Sequence, residues 1–219
     1  MLQSGDEDWL MDTRAILFDL DGTLTDTVPL IVQTYRKVFQ RLDIPWGDDD
    51  VVKLIGLPLV EIAGHFKVAD RQEFVDLYQH YYHLEHDRLT TLFPNTLETL
   101  EQLRHNGLKL GLVTSKGKPV TSRTLAYTGL DAFLEAVVTA HDVKNPKPHP
   151  EPIHIALKTL GVPPQNAIMV GDSYFDILSG QNAHTRTLAV TWGLESKDSL
   201  LRCGPTGVLD RWEEIHGFV

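Results

Sequence analysis

The stretch Phe18-Asp19-Leu20-Asp21-Gly22-Thr23-Leu24 places two aspartates one residue apart, directly after the apolar run Ala15-Ile16-Leu17-Phe18. The run predicts a buried strand, and Gly22 predicts the turn that ends it. Such a strand carries two carboxylates to the carboxyl edge of a sheet, where open α/β folds bind their ligands. Alternating aspartates also occur as plain turn residues, so the pair indicates a site only together with further polar groups.

The rest of the chain repeats the order of strand followed by helix. Apolar runs of strand length lie at residues 15–20, 108–114, 136–139, 167–171 and 187–190. Helical patterns that each stop at a glycine lie at residues 96–106, 119–128 and 150–160. This alternation predicts an α/β fold: a doubly wound, Rossmann-like parallel sheet that helices cover on both faces.

Residues 27–93 interrupt the alternation, because they contain helical patterns and no convincing strand. The patterns cover residues 30–42, 48–55, 59–66 and 71–86. A simple crossover between parallel strands is far shorter than this segment. We therefore predict an inserted helical cap domain over residues 27–93, with hinges near residues 26–27 and 92–94. The α/β core would comprise residues 14–26 and 94–219, and residues 1–13 would form a flexible tail.

Composition narrows the class of protein. The chain has 219 residues and a formal net charge of −10, and no stripe of Lys and Arg suggests a nucleic-acid or membrane surface. The single Cys203 excludes an intramolecular disulfide. No stretch has the length of a transmembrane helix, and the acidic N-terminus lacks the features of a signal peptide. We expect a cytoplasmic protein; its oligomeric state stays open, and a monomer is possible.

Thr114-Ser115-Lys116 follows the second predicted strand. A hydroxyl followed by exposed backbone amides at the start of a helix favours an anion such as phosphate, because unpaired amides and the helix dipole both attract negative charge. A plain N-cap by Ser or Thr would have the same sequence.

Two further clusters carry charge. In Asn145-Pro146-Lys147-Pro148-His149-Pro150, the prolines stiffen the backbone around Lys147, which is either an inward charge clamp or a solvated loop lysine. In Gly171-Asp172-Ser173-Tyr174-Phe175-Asp176, the two aspartates are four residues apart and would share one face of a helix that begins there. With Asp19 nearby, these acids indicate a hard divalent metal; as N-capping acids they would need none.

The four clusters follow one another in a fixed order, and the helical insert comes after the first cluster. This arrangement resembles the haloacid dehalogenase-like superfamily of phosphotransferases over nearly the whole chain after Arg14. The run at residues 21–27, Val113-Thr114-Ser115-Lys116 and the segment 147–152 look like its phosphoglycolate phosphatase branch. Residues 167–174 look especially like the bacterial pyrophosphatase of that branch.

The resemblance implies a Mg²⁺-dependent phosphohydrolase that acts on a small phosphorylated metabolite. It implies that Asp19 is the nucleophile, that Asp21 is the general acid and base, and that Thr114 and Lys147 assist catalysis. The implied groups for phosphate and substrate are Gly22, Thr23, Thr114, Ser115, Lys116 and Lys147. The implied metal ligands are Asp19, Asp21 through its backbone carbonyl, and Asp172, with Asp176 supporting the lysine or the metal-bound water.

Two other functions compete with hydrolysis. A β-phosphoglucomutase-like sugar phosphomutase is the alternative, but such relatives have Glu at the position of Gly171. A non-catalytic binding module on a degenerate scaffold is disfavoured because all four clusters are intact. Dehalogenases of the superfamily lack an acid at the position of Asp21. The substrate stays open among phosphoglycolate, diphosphate, nucleoside monophosphates and sugar phosphates.

Overall fold

A parallel sheet forms the centre of the computed structural model, which describes residues 12–47 and 50–219. The strands are β1 (Ala15–Phe18), β2 (Thr25–Asp26), β3 (Thr91–Leu92), β4 (Lys109–Val113), β5 (Ala136–Val138), β6 (Ala167–Gly171), β7 (Arg186–Val190) and β8 (Gly207–Leu209). Six of them form the sheet in the order β5-β4-β1-β6-β7-β8. Along the chain, strands are added first on one side of β1 and then on the other, so the end of β1 lies where open α/β sheets bind ligands.

Helices cover both faces of this sheet. In chain order, the helices of the molecule are α1 (Val28–Arg41), α2 (Leu59–His65), α3 (Arg71–Leu89), α4 (Thr96–His105), α5 (Lys118–Thr128), α6 (Glu151–Leu160), α7 (Tyr174–Asn182) and α8 (Lys197–Arg202). Of these, α4 to α8 pack against the sheet. In β1, Ile16 and Phe18 pack into a cluster with α4 and α5, while Leu17 packs into a cluster with α6. Side chains of a strand alternate between the faces, so a fully apolar strand is what a sheet buried on both sides requires. The predicted doubly wound sheet is therefore confirmed.

Helices α1 to α3 pack around a hydrophobic core of their own. Phe39 is buried at its centre, with ring centroids 4.8 Å from Phe66 and 5.4 Å from Trp46. Val120 of α5 is the one hydrophobic residue from outside residues 28–89 that packs against this cluster within the described chain. The two chain segments that connect these helices to the rest of the molecule lie side by side, because β2 and β3 pair antiparallel with Thr25 opposite Leu92. We propose that residues 27–93 form one unit, the helical cap.

The structure corrects several predicted elements. Strand β3 lies in the segment predicted to lack strands, and its two residues are too few for an alternating pattern. Only Val52–Leu54 is helical within the predicted helix 48–55, as a 3-10 turn, and residues 48–49 lie outside the described residues. Strand β8 was not predicted either, because its three residues are also too few for an alternating pattern. Most of the predicted tail, residues 1–11, also lies outside the described residues.

No helix within residues 12–47 and 50–219 combines the length and the apolar character that crossing a bilayer would need.

Because the cap has a hydrophobic core of its own, we predict that the cap can be destabilised without destabilising the sheet. We expect Phe39→Ala to cost about 3–5 kcal/mol of packing free energy in the cap, as large-to-small changes at buried aromatic residues do. Hydrogen–deuterium exchange should then accelerate in residues 28–89 and stay slow in β1, β4 and β6. Leu100→Ala, in the cluster under the sheet, is the matched control and should accelerate exchange in the sheet. Equal acceleration in both regions of Phe39→Ala would contradict a separate cap.

Candidate active site

Loops after three neighbouring strands and the Lys147 loop meet at one cavity of about 460 Å³ at the carboxyl edge of the sheet. Residues of the cap form its opposite wall. Of the predicted site residues, those that line it are Asp19, Asp21, Thr114, Ser115, Lys116, Lys147 and Asp172. The convergence follows from strand register, since Phe18 pairs with Leu112 on one side and with Val170 on the other.

Lys147 holds the centre of the site. Its ammonium donates to Asp19 Oδ1 at 2.7 Å, to Asp176 Oδ1 at 2.6 Å and to the Val113 carbonyl at 3.1 Å. The side chain is 4% exposed. Burial by itself would lower the pKa of Lys147, but the charges of Asp176 and Asp19 raise it overall. The lysine is thus held as a cation with all three of its donors occupied.

Three buried carboxylates lie close together at this site, and two of them, Asp19 and Asp176, bind the single ammonium. Asp19, Asp172 and Asp176 each offer a ligand oxygen, and these oxygens lie within 4.8 Å of one another. Burial, opposed by Lys147, raises the pKa of Asp19 to about 7, and burial also raises that of Asp172. One ammonium does not balance the negative charge of three ionised carboxylates. A hard divalent cation, which prefers oxygen ligands, would supply the missing positive charge.

Asp172 is fixed by close packing and two hydrogen bonds. Its Oδ1 accepts from Thr23 Oγ1 at 3.1 Å, and its Oδ2 accepts from the Leu194 amide at 2.7 Å. A Cβ at Gly22, which has φ of +84°, would lie 2.2 Å from Asp172 Oδ2, and a Cβ at Gly193 would lie 2.3 Å from the same atom. Only glycine fits at either position without displacing the carboxylate.

Asp176 reaches the acid cluster by a different route from the predicted one. Asp172 precedes α7, which begins at Tyr174, so the two acids do not share a helix face. Instead, Ser173 and Asp176 form a capping box in which Asp176 Oδ2 accepts from Ser173 Oγ at 2.6 Å. Asp176 lies behind the cavity wall, and a Cβ at Gly171 would lie 2.2 Å from its Cβ. Glycine at 171 therefore makes room for an acid at 176.

Asp21 lies on the cap side of the site. Its Oδ1 accepts from Thr27 Oγ1 at 2.5 Å and from Lys116 Nζ at 2.5 Å. Lys116 also donates to Tyr82 Oη at 2.6 Å, and Tyr82 belongs to α3 of the cap. Asp21 thus joins the first strand end, the start of the cap and the second strand end.

The Thr114–Lys116 loop differs from the predicted helix start. Helix α5 begins at Lys118, so Ser115 and Lys116 lie in the loop before it. Thr114 Oγ1 accepts from the Lys116 amide at 3.1 Å, which tightens this loop. The Ser115 hydroxyl is buried with no hydrogen-bond partner in the described part of the chain. A buried unpaired hydroxyl in a cavity wall is a donor available to an anionic ligand.

The cap rests on α5 beside the cavity. His86 Nε2 lies 2.9 Å from Thr124 Oγ1, Arg123 pairs with Asp87 at 2.9 Å, and Tyr127 Oη donates to the Asp87 carbonyl at 2.6 Å. Burial is the main cause that lowers the pKa of His86. These contacts fix the C-terminal half of α3, and with it Tyr82, over the site.

Two predicted phosphate-binding residues occupy other places. Gly22 and Thr23 do not line the cavity; both contact Asp172 and so position a carboxylate. The sequence reasoning missed the supporting contacts from Thr27, Ser173, Leu194 and Tyr82. Only Ser173 had a readable signal, since Ser at N-cap with Asp three residues later suggests a capping box.

Comparison with known proteins agrees with the geometry. A profile of the haloacid dehalogenase-like hydrolase family matches residues 16–190. The chain is 39% identical over 202 residues to the protein named pyrophosphatase PpaX of Bacillus velezensis, covering 92% of this chain and 94% of the relative. It is 34% identical over 205 residues to the protein of the same name from Oceanobacillus iheyensis, covering 94% and 96%.

Solved structures share the fold. The structure of a putative phosphoglycolate phosphatase from Lactobacillus plantarum matches with a TM-score of 0.85 at 24% identity, over 95% of this chain and all of the other. A putative β-phosphoglucomutase from Thermotoga maritima matches with a TM-score of 0.73 at 26% identity, over 94% and 97%. The extent of these matches and the identity to the Bacillus relative show that this chain is an enzyme of the haloacid dehalogenase-like hydrolase family.

Proposed function

We propose that this enzyme is a Mg²⁺-dependent phosphohydrolase that cleaves a small phosphomonoester or inorganic diphosphate through an aspartyl-phosphate on Asp19. The observation that supports the proposal best is the placement of Asp19 and Asp21. Both line the cavity, and each is bonded to a different lysine, Asp19 to the buried Lys147 and Asp21 to the largely buried Lys116. Their surroundings differ, which allows two carboxylates to take different roles.

In the first half-reaction, an oxygen of Asp19 attacks phosphorus while the bond to the leaving oxygen breaks. Asp21 gives its proton to that oxygen as general acid. The Ser115 hydroxyl donates a hydrogen bond to a phosphoryl oxygen, and the positive charge of Lys147 compensates the negative charge there, since phosphoryl transfer asks the protein mainly for positioning and electrostatics. Thr114 keeps the Ser115–Lys116 loop in place through the bond to the Lys116 amide.

In the second half-reaction, water attacks the phosphorus of the aspartyl-phosphate, and Asp21 takes the proton from this water. The bond from phosphorus to Asp19 breaks, which releases phosphate and restores the carboxylate. Asp21 thus serves as acid and then as base, and its bond to Thr27 keeps it directed between the phosphoryl site and the cap.

Mg²⁺ would be held by Asp19, Asp172 and the backbone carbonyl of Asp21, with Asp176 behind them. Bound there, it supplies positive charge that favours the ionised form of Asp19 and compensates the phosphoryl group. Thr23 and the Leu194 amide fix the orientation of Asp172 for this purpose. The names of the Bacillus and Oceanobacillus relatives favour diphosphate as the first substrate to test.

A sugar phosphomutase is the weaker alternative. The likeness to a putative β-phosphoglucomutase supports the shared fold, but the packing around residue 171 argues against that function. With Asp176 present, no side chain fits at Gly171, and the mutase-like relatives carry Glu there. Isomerisation of a hexose 1-phosphate by the purified enzyme would favour the mutase.

Removal of the two carboxylates should have distinct effects. We expect Asp19→Asn to abolish turnover of diphosphate and of aryl phosphates, because an amide cannot form the phosphoryl-enzyme bond. Asp21→Asn should lose roughly two to four decades of rate, the usual contribution of general acid–base catalysis. Steady-state phosphate release with Mg²⁺ measures both, and the exposed Asp131→Asn serves as the control. Near-normal rates in Asp19→Asn would refute the proposed nucleophile.

Metal binding should depend on pH in a direction set by Asp19. Its pKa is about 7 in the folded protein against 3.8 for the ordinary side chain, so the metal-free folded state binds an extra proton between these values. Because the folded state holds this proton more tightly than the unfolded state, the free energy of unfolding of the metal-free protein falls as pH rises from about 4 to about 7. Mg²⁺ competes with this proton, so the increase in melting temperature that Mg²⁺ causes should be larger at pH 8 than at pH 5.

The measurement is thermal unfolding with Mg²⁺ or a chelator at both pH values. The difference between the two curves cancels contributions from distant histidines and acids. In Asp172→Asn, the Mg²⁺-induced increase should be lost, while the metal-free protein should become more stable at pH 8. The same Mg²⁺-induced increase at pH 5 and pH 8 would contradict the assignment of this site.

A further inference from the structure

Lys116 is a cation of the cavity whose hydrogen-bonding capacity the protein does not use up. Its ammonium donates to Asp21 Oδ1 and Tyr82 Oη. An ammonium has three donors, and no third acceptor contacts it among residues 12–47 and 50–219. Lys147 differs, because three oxygens already accept its donors. One donor of Lys116 therefore remains for a ligand in the cavity that it lines.

The position of Lys116 makes this donor selective. Its side chain is 10% exposed, and its ammonium lies 4.7 Å from the centre of the Tyr82 ring. A charge in such surroundings interacts strongly with a second charge, because little water screens it. The neighbouring Ser115 hydroxyl is also buried and unpaired, so two adjacent donors are available at the same wall.

We propose that Lys116 selects substrates whose leaving group carries its own negative charge, a carboxylate or a second phosphate, by binding that charge with its remaining donor. The inference rests on the proposed function, in which Asp21 protonates the leaving oxygen. Lys116 contacts the same Asp21 carboxylate, so a leaving group beside Asp21 is within reach of the ammonium.

An uncharged leaving group would suit another part of the cavity. Tyr35 and Tyr78 of the cap line it, with ring centroids 4.7 Å apart, and could pack against an apolar group. Such a group would leave a charged donor of Lys116 without a partner once it excluded water. Leaving a buried charged donor unsatisfied is unfavourable, so the lysine works against uncharged leaving groups.

The test compares Lys116→Met with Lys118→Met. Both changes remove one positive charge from the same loop region, but Lys118 is 67% exposed at its side chain and does not line the cavity. The substrates are phosphoglycolate, diphosphate and phosphoglycolamide, which is phosphoglycolate with a neutral amide in place of the carboxylate. Phosphate release with Mg²⁺ gives kcat/KM for each, and the two anionic substrates distinguish carboxylate from phosphate recognition.

We expect the wild type to prefer at least one anionic substrate over the amide. Lys116→Met should lose about 100-fold in kcat/KM on that substrate, the size typical for truncation of one partner of a buried charge pair, and much less on the amide, where only the contact of Lys116 with Asp21 is lost. Lys118→Met should match the wild type on all three, and Lys116→Arg should retain part of the preference. Mg²⁺-dependent thermal stabilisation of Lys116→Met would verify that its fold and acid cluster are intact.

Two results would overturn the inference while the phosphohydrolase function stands. One is a wild type that hydrolyses the amide as well as both anionic substrates. The other is an equal loss in Lys116→Met on charged and neutral substrates, which would show that Lys116 only positions Asp21. Failure of the wild type to hydrolyse these compounds and aryl phosphates would instead remove the proposed function and this inference with it.

Discussion

The charge imbalance around Lys147 is the constraint on which the rest of the structure depends. One ammonium is buried among three carboxylates, and burial of an unpaired charge is among the most unfavourable arrangements in a protein interior. The surrounding chain is built to hold it: the capping box orients Asp176, and glycines at 22 and 193 leave room for Asp172. The three acids have fewer positive partners than negative charges among the described residues, and the proposed Mg²⁺ site rests on this imbalance.

The sheet could be predicted well from the sequence because its strands are buried on both faces. Continuous apolar runs such as Ala167–Gly171 are then obligatory, and their polar ends mark one edge. The two-residue β3 and the three-residue β8 could not be predicted, since so short a segment has no period of its own. Their extended conformation is set by pairing with the neighbouring strands, β3 with β2 and β8 with β7.

The candidate site was predictable in its residue types and less so in its contacts. Proximity of Asp19, Thr114 and Asp172 follows from the parallel register of β1 with β4 and β6, which the sequence pattern implies. The bonds of Thr23 to Asp172 and of Lys116 to Tyr82 depend on side-chain packing between elements that are distant in sequence. In particular, the position of Tyr82 depends on how α3 rests on α5, which no local pattern encodes.

The short ribbon of β2 and β3 has a consequence for which changes of sequence the sheet can tolerate. Because Thr25 and Leu92 are paired, the two points where the chain leaves and re-enters the sheet domain are adjacent. An insertion between adjacent points changes neither the register nor the spacing of the strands, whatever its length. The ribbon would therefore allow the segment between β2 and β3 to change in length or sequence while the sheet and its acid cluster keep their geometry.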